Sequence, residues 1–290
     1  MAMIWAVVTK EEMEGYKIPP VFQYYREVVG KENIALAVVS EDDPLRFVEK
    51  DDVVLLRSAN NRLISTIKER GIVSTAENFE VYEKVRDKAT LGQWLETKGV
   101  QVPKQYKLSE VEDGKTYFVK LRYGAESFGI SKDSICRTKE EVLRQVQHLE
   151  STFNQETLIE EFIDGIDCTV AYYYNPWTCE ENTHAIKIET DLDGGIQTNK
   201  GNIDYQRFCS PLDHDINEKI CEISRDICTL LGVEHHARID FRLDKNGELY
   251  MNDVNLLPGM GPVAHFAKCL LLTENKSYAD AVWAIIDSAS

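Results

Sequence analysis

The feature that most constrains this chain is a hairpin pattern from Arg238 to Asn255. Its first part, Ala237–Leu243, alternates apolar and polar side chains, as a half-buried strand does. Asn246-Gly247 follows as a turn signal, because both residues tolerate the positive φ of a tight turn. Glu248–Asn255 then supplies a return strand. The sequence therefore predicts two paired antiparallel strands.

The length of the loop determines which residues of the hairpin face each other. With Asn246-Gly247 as a two-residue loop, Asp240 lies opposite Asp253. The same pairing places Arg238 opposite Asn255. A four-residue loop shifts the pairing by two positions and leaves the faces unchanged, because side chains alternate with a period of two. The four polar residues are therefore predicted to share one face.

The other face of the hairpin is predicted to be apolar, with one exception. Asn252 falls on this face, opposite Phe241, and a buried amide costs roughly 1–3 kcal/mol unless it is hydrogen-bonded. The apolar members of the face are Ala237, Ile239, Phe241 and Val254.

The polar face has the chemistry of a metal site. Two facing carboxylates repel each other unless a cation lies between them. Carboxylate and amide oxygens are ligands of Mg²⁺ and Mn²⁺, so Asp240, Asp253 and Asn255 are candidate ligands. Arg238 beside them suits the negative charge that develops on a transferred phosphoryl group or a tetrahedral centre. The alternative is an exposed face that only carries polar groups, and the hairpin alone favours neither interpretation.

Charge and cysteine usage limit the class of protein. The chain has 49 acidic and 33 basic residues, and the net charge of −16 argues against nucleic acid or an anionic membrane as the main partner. Seven cysteines occur without a Cys-x-x-Cys pair, which is typical of reduced thiols in a cytosolic protein. Met1–Val8 lacks the basic region and cleavage site of a signal peptide, and no segment approaches the ~20 apolar residues of a membrane helix. The predicted location is the cytoplasm.

Short apolar runs separated by helices predict a small parallel sheet within residues 1–85. The residues after the first run, Thr9–Glu12, lack the glycine fingerprint of dinucleotide binding, so NAD has little support. The predicted strands are Ile4–Val8, Ile34–Val39, Val53–Leu56 and Ile72–Ser74, with helices near Val21–Val29 and Arg62–Arg70.

From Arg86 onwards the pattern is that of a mixed α/β enzyme without repeats. Gly99 and Pro103 are signals for the end of its first helix. The predicted helices are Asp87–Gly99, Lys139–Ser151, His214–Leu231 and two short helices at the end of the chain. The predicted strands before the hairpin are Gln105–Leu108, Thr116–Leu121, Thr157–Glu161, Cys168–Tyr174 and Ala185–Thr190.

Three further segments carry groups suited to a nucleotide. Lys120 ends a strand and precedes Gly124–Ser131, a loop of small residues whose backbone N–H groups can close on a triphosphate. Lys88 opens a helix. The backbone of Leu158–Asp167 offers a donor and an acceptor suited to the edge of adenine. Each segment alone also fits a surface lysine, a β-turn or an acidic edge strand.

Together with Asn255-Leu-Leu-Pro-Gly-Met260, these segments resemble the ATP-grasp superfamily, and D-alanine–D-alanine ligases in particular. The resemblance covers about residues 86–260, with the motifs in the family's order. It implies an α/β (α+β) protein with the ATP-grasp fold and three parts. These are a small pre-ATP-grasp domain at 1–85, a central subdomain with a glycine-rich lid at 86–165, and a C-terminal subdomain with the metal site at 166–290. Asp51–Arg57 is also similar to the RimK-like ribosomal-protein glutamate ligases.

The resemblance also implies a role for each candidate residue. Adenine would bind at the Leu158–Asp167 segment, and the carboxylate of Asp167 would accept the ribose hydroxyls. Lys200, in a second lid at Asp191–Asp204, would reach the γ-phosphate. The implied catalytic residues are Arg238, Lys120 and Ser127; the implied ATP-binding residues are Lys88, Lys120, Glu160, Glu161, Phe162, Ile163, Asp167 and Lys200; and the implied metal ligands are Asp240, Asp253 and Asn255.

Departures from the family pattern concern the metal and the substrates. Asp253 replaces a glutamate, which puts the number of metal ions in doubt, and Asn252 replaces an aliphatic residue that contacts adenine. The family's early glycine–serine–glutamate motif is absent, and Ala264 aligns with a serine that holds the acceptor carboxylate. The chain is therefore not assigned as a D-alanine–D-alanine ligase. Candidate substrate contacts are Glu11, Glu12 or Glu14 for an ammonium and Arg57 for a carboxylate, although surface charge is the simpler interpretation.

The implied reaction is ATP-dependent formation of an amide or peptide bond through an acyl phosphate, with release of ADP and phosphate. Because an acyl phosphate hydrolyses readily, lids that exclude water are expected. The alternatives are an ATP-binding regulatory protein of the same fold and a phosphotransferase. The predicted partners are an amino acid or peptide carboxylate, an amine, ATP, and Mg²⁺ or Mn²⁺, without nucleic acid or membrane. A homodimer is implied by the resemblance alone.

Overall fold

The structure, a computed structural model, describes residues 3–10, 18–30, 33–39, 45–123, 127–190 and 207–289. Within these ranges the strands form three sheets flanked by helices. The strands are β1 (Ile4–Thr9), β2 (Ile34–Val39), β3 (Val53–Leu56), β4 (Val73–Ser74), β5 (Gln105–Tyr106), β6 (Tyr117–Leu121), β7 (Ile135–Cys136), β8 (Thr157–Glu161), β9 (Gly165–Asn175), β10 (Glu180–Thr190), β11 (Arg207–Pro211), β12 (His236–Asp244) and β13 (Leu249–Asn255). The helices are α1 (Ile18–Val29), α2 (Asn61–Arg70), α3 (Phe79–Arg86), α4 (Lys88–Glu96), α5 (Lys139–Phe153), α6 (His214–Leu231), α7 (His265–Glu274) and α8 (Tyr278–Asp287).

The first sheet is parallel, with the strand order β2-β1-β3-β4. Its central strands are buried on both faces: Val7, Val54 and Leu55 have no exposed surface. This two-sided burial explains why the runs are continuously apolar rather than alternating. The prediction of a small parallel sheet is therefore confirmed. Helix α3 was not predicted, because its eight residues are too few to show a clear helical period.

The second sheet is antiparallel, with the order β5-β8-β6-β7. Lys120 on β6 pairs with Leu158 on β8, and Phe118 pairs with Glu160. Lys120 and Glu160 are therefore diagonal neighbours on adjacent strands, within reach of each other. The sheet brings together two polar residues that are distant in the sequence.

The third sheet is also antiparallel, with the order β11-β10-β9-β12-β13. One face of its central strands contributes Val170, Ile239 and Phe241 to a core that also contains residues of β1 and β3. The opposite face carries the polar residues of β12. Thr169 on β9 pairs with Asp240, and Asp167 pairs with Arg242. The alternation along β12 therefore separates the main core from a polar surface, as predicted.

The loop of the β12–β13 hairpin differs from the prediction. Asp244 donates its N–H to the carbonyl of Glu248 at 2.9 Å, so the loop contains three residues, 245–247. Gly247 has a φ of +84° and completes the turn. A type I turn followed by a left-handed residue is the usual geometry of a three-residue loop. The loop therefore has neither of the two lengths considered, which were two and four residues.

A β-bulge restores the predicted pairing beyond this loop. Phe241 pairs with Met251, whereas Asp240 pairs with Asp253, so Asn252 is the additional residue of β13. The predicted pairs Arg238–Asn255 and Asp240–Asp253 are confirmed. The prediction that Asn252 lies opposite Phe241 on the apolar face is wrong. Met251, only 3% exposed, occupies that position instead.

The three sheets fall within the three predicted segments, apart from Gly165 at the start of β9. The domain boundaries themselves stay a prediction. All seven cysteines carry free thiols, in agreement with the expected reduced state. None of the helices in the described ranges combines the length and apolar character needed to cross a bilayer.

Candidate active site

One cleft collects most of the predicted site residues. It is lined by residues of the second and third sheets and by the first residues of α4 and α7. Its empty volume is about 1010 Å³, including the part open to solvent, which is sufficient for a nucleotide. The predicted residues that line it are Lys88, Lys120, Ser127, Glu160, Glu161, Phe162, Ile163, Asp167, Arg238, Asp240 and Asp253.

Arg238 and Asp240 form an ion pair at the floor of the cleft. They lie two residues apart on β12 and so point to the same side. The guanidinium Nη2 donates to Asp240 Oδ2 at 2.7 Å, and Thr169 Oγ1 donates to Asp240 Oδ1 at 2.6 Å. Burial alone would raise the pKa of the Asp240 carboxyl, but Arg238 and Thr169 more than offset this and lower it. Asp240 is therefore held ionised.

Asp253 faces Asp240 from β13 and is held by a different cation. Lys88 Nζ, from the first residue of α4, donates to Asp253 Oδ1. The two side chains are 12% and 21% exposed, so the pair is only partly screened by solvent. Each of the two facing carboxylates is thus neutralised by its own basic side chain.

Lys88 is positioned by the residue that precedes it. Asp87 is the N-cap of α4 and accepts hydrogen bonds from the N–H groups of Ala89 and Thr90. Arg122 holds the same carboxylate through Nε and Nη2, at 2.8 and 2.6 Å, and holds the pKa of Asp87 well below its usual range. The helix that presents Lys88 is therefore tied to the end of β6, the strand that carries Lys120.

Asn255 shares the polar face of the hairpin but lies outside the cleft lining. Its side-chain Oδ1 accepts a hydrogen bond from the Leu257 N–H at 2.9 Å. This contact turns the chain at the end of β13. Of the three predicted metal ligands, the structure brings Asp240 and Asp253 together in the cleft and leaves Asn255 beside it.

The donor set fits a hard divalent cation. Asp240 and Asp253 are a directly paired couple of carboxylates on adjacent strands. Oxygen ligands of this kind suit Mg²⁺, which also retains water and phosphate oxygens. For a divalent cation to bind here, the Asp253 carboxylate must either release Lys88 or contact Lys88 and the cation at the same time.

Lys120 has two partners within the cleft. Its Nζ lies 2.7 Å from Glu160 Oε2 and donates to Asn252 Oδ1 at 2.8 Å. Lys120 and Glu160 are 4% and 5% exposed, so the ion pair is buried. The bulge therefore turns the Asn252 amide towards a lysine instead of leaving it in the apolar core.

The segment after β8 forms one wall of the cleft. The N–H of Glu161 donates to Lys104 O at 2.8 Å, and that of Phe162 donates to Thr116 O at 3.1 Å. The N–H of Ile163 has no acceptor among the described residues. Ile163 lines the cleft, and its carbonyl accepts hydrogen bonds from Arg242. The assignment of this segment to the edge of a base stays a prediction.

The glycine-rich loop is described only from Ser127 onwards. Ser127 has a φ of +58° and lines the cleft. The other lid candidates, Gly124–Glu126 and the segment Asp191–Asp204 with Lys200, lie outside the described residues. The same applies to Glu11, Glu12 and Glu14.

Two residues of the cleft with titratable side chains, Arg242 and His265, were not predicted, and a third polar residue has a different position from the one expected. Arg242 was missed, although it lies two residues beyond Asp240 and so on the same face. His265 was missed because its first-turn position in α7 gave no separate signal; its charge contributes to the lowered pKa of Asp240. Asn252 was expected in the core. Arg57 donates to the carbonyl of Pro258 at 2.8 Å, a contact that braces the loop after β13.

Comparison with known proteins gives a consistent result. The family model described as D-ala D-ala ligase C-terminus matches residues 94–287. D-alanine–D-alanine ligase A of Mesorhizobium japonicum is 29% identical over 167 residues, which cover 54% of this chain and 44% of the relative. D-alanine–D-alanine ligase B of Clostridium tetani is 30% identical over 185 residues, covering 59% of this chain and 47% of the relative. The matches thus span less than half the length of each of these two relatives.

Solved structures extend the likeness to nearly the whole chain. D-alanine–D-alanine ligase from Bacillus anthracis, complexed with ATP, superposes with a TM-score of 0.75 at 18% identity, covering 99% of this chain and 97% of that one. VanG D-Ala:D-Ser ligase from Enterococcus faecalis gives a TM-score of 0.74 at 16% identity, with 99% of both chains covered. These likenesses confirm the ATP-grasp fold. Because the family model covers more than half of the sequence, the chain belongs to the D-ala D-ala ligase C-terminus family.

Proposed function

We propose that this protein is an ATP-dependent carboxylate–amine ligase that forms an amide or peptide bond between amino acids or peptides. The proposal follows the relatives, whose names are those of D-alanine–D-alanine and D-Ala:D-Ser ligases. In the implied reaction a substrate carboxylate attacks the γ-phosphate of ATP, giving an acyl phosphate and ADP. An amine then attacks the acyl carbon, and phosphate leaves.

The single observation that carries the proposal is the convergence of basic and acidic groups in one cleft. Lys88, Lys120 and Arg238 surround the facing pair Asp240 and Asp253. A site of this kind can neutralise a triphosphate and a transferred phosphoryl group. A surface that only carries charge for solubility has no reason to bury Lys120, which is 4% exposed.

Each basic residue has a proposed role in the two steps. Lys88 and Lys120 hold phosphate oxygens as point charges. Arg238 stabilises the charge that develops at the γ-phosphate and then at the tetrahedral carbon. Ser127, from the glycine-rich loop, closes over the reacting groups and limits the access of water.

Asp240 and Asp253 are proposed to hold Mg²⁺ or Mn²⁺ with Asn255 next to them. When bound, the cation supplies charge neutralisation for the phosphate oxygens of ATP. Glu160, Glu161, Phe162 and Ile163 are proposed to contact the base, and Asp167 the ribose. Lys200 is retained as a candidate contact of the γ-phosphate.

The proposal includes three further properties. A cytoplasmic location is expected from the cysteine usage, and the resemblance implies a two-fold dimer and the division at residues 1–85, 86–165 and 166–290. Size-exclusion chromatography with light scattering measures the dimer directly. Limited proteolysis, with the cut sites found by mass spectrometry, tests the two boundaries.

The activity is tested by product analysis with a panel of L- and D-amino acids, supplied singly and in pairs with Mg-ATP. A ligase releases ADP and phosphate in equal amounts only with a suitable amine and yields a new amide detected by mass spectrometry. Asp240→Asn and Arg238→Ala should each abolish this turnover. A protein that binds ATP tightly but gives no ADP with any pair is not a ligase of these substrates.

One observation favours a second candidate, an ATP-binding regulatory protein of the same fold. The Lys88–Asp253 pair places a basic side chain on one of the three metal-ligand candidates. The same assay separates the candidates, because a regulator binds ATP without producing ADP. A phosphotransferase, the third candidate, produces ADP and a stable phosphorylated product without an amine.

A further inference from the structure

Arg242 is the third charged residue on the cleft side of β12, after Arg238 and Asp240. It is 6% exposed and lines the cleft. Its guanidinium donates to Asp167 Oδ1 at 2.9 Å, to the Gly165 carbonyl at 2.8 Å, and to the Ile163 carbonyl at 3.1 and 3.2 Å. A single side chain therefore holds Ile163 in the turn between β8 and β9 and Gly165 and Asp167 at the start of β9.

The geometry of this turn depends on a close approach to β12. A Cβ added at Gly165 would lie 2.0 Å from the Leu243 carbonyl oxygen, so this position has no space for a side chain. The planar guanidinium, with five donors in fixed directions, matches several acceptors that lie close together. Arg242 thus fixes the turn beside the close contact between Gly165 of β9 and Leu243 of β12.

The contact between Arg242 and Asp167 is buried on both sides. The two side chains are 7% and 12% exposed, which strengthens the charge-assisted hydrogen bond relative to one in water. The guanidinium carbon also lies 5.8 Å from the centroid of the Phe162 ring. Arg242, Phe162 and Asp167 therefore form one connected wall of the cleft.

A purely structural brace is the simpler explanation for such an arginine. A structural role alone does not explain why Arg242 also holds Asp167, a carboxylate that lines the cleft. A carboxylate held in one orientation is a defined acceptor for a hydroxyl group, whereas a freely rotating one loses side-chain entropy on binding.

We infer that Arg242 is a positioning residue that makes this site selective for ribonucleotides over 2′-deoxyribonucleotides, by orienting Asp167 towards the ribose hydroxyls. The inference rests on the proposed function, in that it takes the cleft as a nucleotide site. It adds that the preference for the ribose depends on Arg242, a residue that contacts the turn and the carboxylate.

The experiment measures the dissociation constants of Mg-ATP and Mg-2′-deoxy-ATP by titration calorimetry. The proteins are the wild type, Arg242→Met, Arg242→Lys and Asp167→Asn. The wild type should bind ATP about tenfold more tightly than deoxy-ATP, the size of one lost hydrogen bond to a charged group. In Arg242→Met and Asp167→Asn this ratio should fall towards one, and Arg242→Lys should give an intermediate ratio.

Arg225→Met is the matched control, because Arg225 donates to Thr183 Oγ1 and does not line the cleft. Its ratio should equal that of the wild type. If Arg242→Met does not give a cooperative thermal transition, it is not folded, and Arg242→Lys then provides the test. A ratio of the two dissociation constants in Arg242→Lys equal to that of the wild type overturns the inference.

The possible failures are distinct. A wild type that binds neither nucleotide removes the proposed function, and the inference with it. A wild type that binds both nucleotides equally, or a folded Arg242→Met that keeps the tenfold preference, overturns the inference and leaves the ligase proposal intact.

Discussion

Lys88 donates a hydrogen bond to the carboxylate of Asp253, although the two residues are 165 positions apart in the sequence. The pair links the start of α4 to the last strand of the third sheet. Because Asp253 is also a candidate metal ligand, Lys88 and a divalent cation compete for the same oxygen atoms. This competition has a measurable consequence for metal binding.

Replacement of Lys88 by methionine should have opposite effects on the metal and on the nucleotide. Asp253 loses its cation, so the affinity for Mn²⁺ without nucleotide should increase about fivefold, a change of roughly 1 kcal/mol for a partly buried pair. The affinity for ATP should decrease about tenfold, because a phosphate contact is lost. Electron paramagnetic resonance of free Mn²⁺ and calorimetry with ATP measure the two effects.

Lys115→Met is the control for this change. Lys115 is exposed and pairs with Glu112 outside the cleft lining, so both affinities should be unchanged. Weaker Mn²⁺ binding in Lys88→Met would show that the lysine supports the metal site and does not compete with it.

The Asp87–Arg122 pair should make stability depend on pH. Asparagine at position 87 retains the helix cap but loses the ion pair, which should cost about 1 kcal/mol at pH 6. Since the folded-state pKa of Asp87 is lowered from 3.8, the stabilisation is complete above that value and is lost as the pH falls below it. Urea unfolding of the wild type and of Asp87→Asn at pH 6 and 3.5 measures the difference. A difference that is the same size at both values contradicts the assigned cause.

Deletion of Asn252 should be tolerated better than deletion of Val254, a core residue two positions further along β13. Without Asn252, Met251 and Val254 regain a spacing of two, and Asp240 still faces Asp253. The expected cost is about 1 kcal/mol, from the lost hydrogen bond to Lys120. Deletion of Val254 instead moves Asn255 into a buried position and should cost roughly 3 kcal/mol.

Urea unfolding measures the loss of unfolding free energy in each deletion variant. Mn²⁺ binding shows whether Asp240 and Asp253 still face each other. The Asn252 deletion should bind Mn²⁺ as the wild type does. Equal destabilisation by the two deletions would mean that the bulge is required for the fold of the hairpin.

Alanine at Gly165 should disturb both the fold and the cleft. Its Cβ would lie 2.0 Å from the Leu243 carbonyl oxygen, so the turn must move away from β12, at a cost of about 2–3 kcal/mol. Because Arg242 holds the same turn, the affinity for ATP should also fall. Gly261→Ala is the matched control, since its Cβ would have nothing within 4 Å, and its stability should stay within about 0.5 kcal/mol of the wild type. Thermal melts and calorimetry compare the two variants, and equal melting temperatures would contradict the close approach.

Much of the fold followed from local patterns in the sequence. Helix α6 has the predicted bounds His214–Leu231, and β8 has the predicted bounds Thr157–Glu161. The apolar period of α6 extends over 18 residues, and β8 is a short apolar run whose neighbouring residues are polar. The pairing of Asp240 with Asp253 was predicted from a two-residue loop, and it holds because the bulge at Asn252 offsets the one-residue difference in the loop.

The errors arose where two local signals conflicted. Asn-Gly favours a two-residue turn, whereas the buried positions Leu249 and Met251 require the pairing of a three-residue loop. Burial of two large apolar side chains outweighs the preference of one turn, since each is worth about 1.5–3 kcal/mol. Core residues of a regular strand recur every two positions, whereas Met251 and Val254 are three positions apart. This spacing was the signal in the sequence that indicated a bulge.

Contacts between distant segments had no local signal at all. The pairing of Lys88 with Asp253 and the hold of Arg242 on the Ile163 carbonyl depend on how the sheets meet. Periodicity specifies which face a residue occupies, and it does not specify which other element covers that face. The contacts that these residues make were therefore accessible only from the structure.

The loop and the bulge of the β12–β13 hairpin also limit how the gene can change in length. One residue added to the loop would by itself exchange the two faces of β13 and turn Asp253 into the core. A second one-residue irregularity, such as the bulge at Asn252, cancels that exchange. Insertions and deletions in the loop should therefore survive selection when a second one-residue change in the strand compensates for them, and an alignment of relatives needs a one-residue gap inside the strand as well as in the turn.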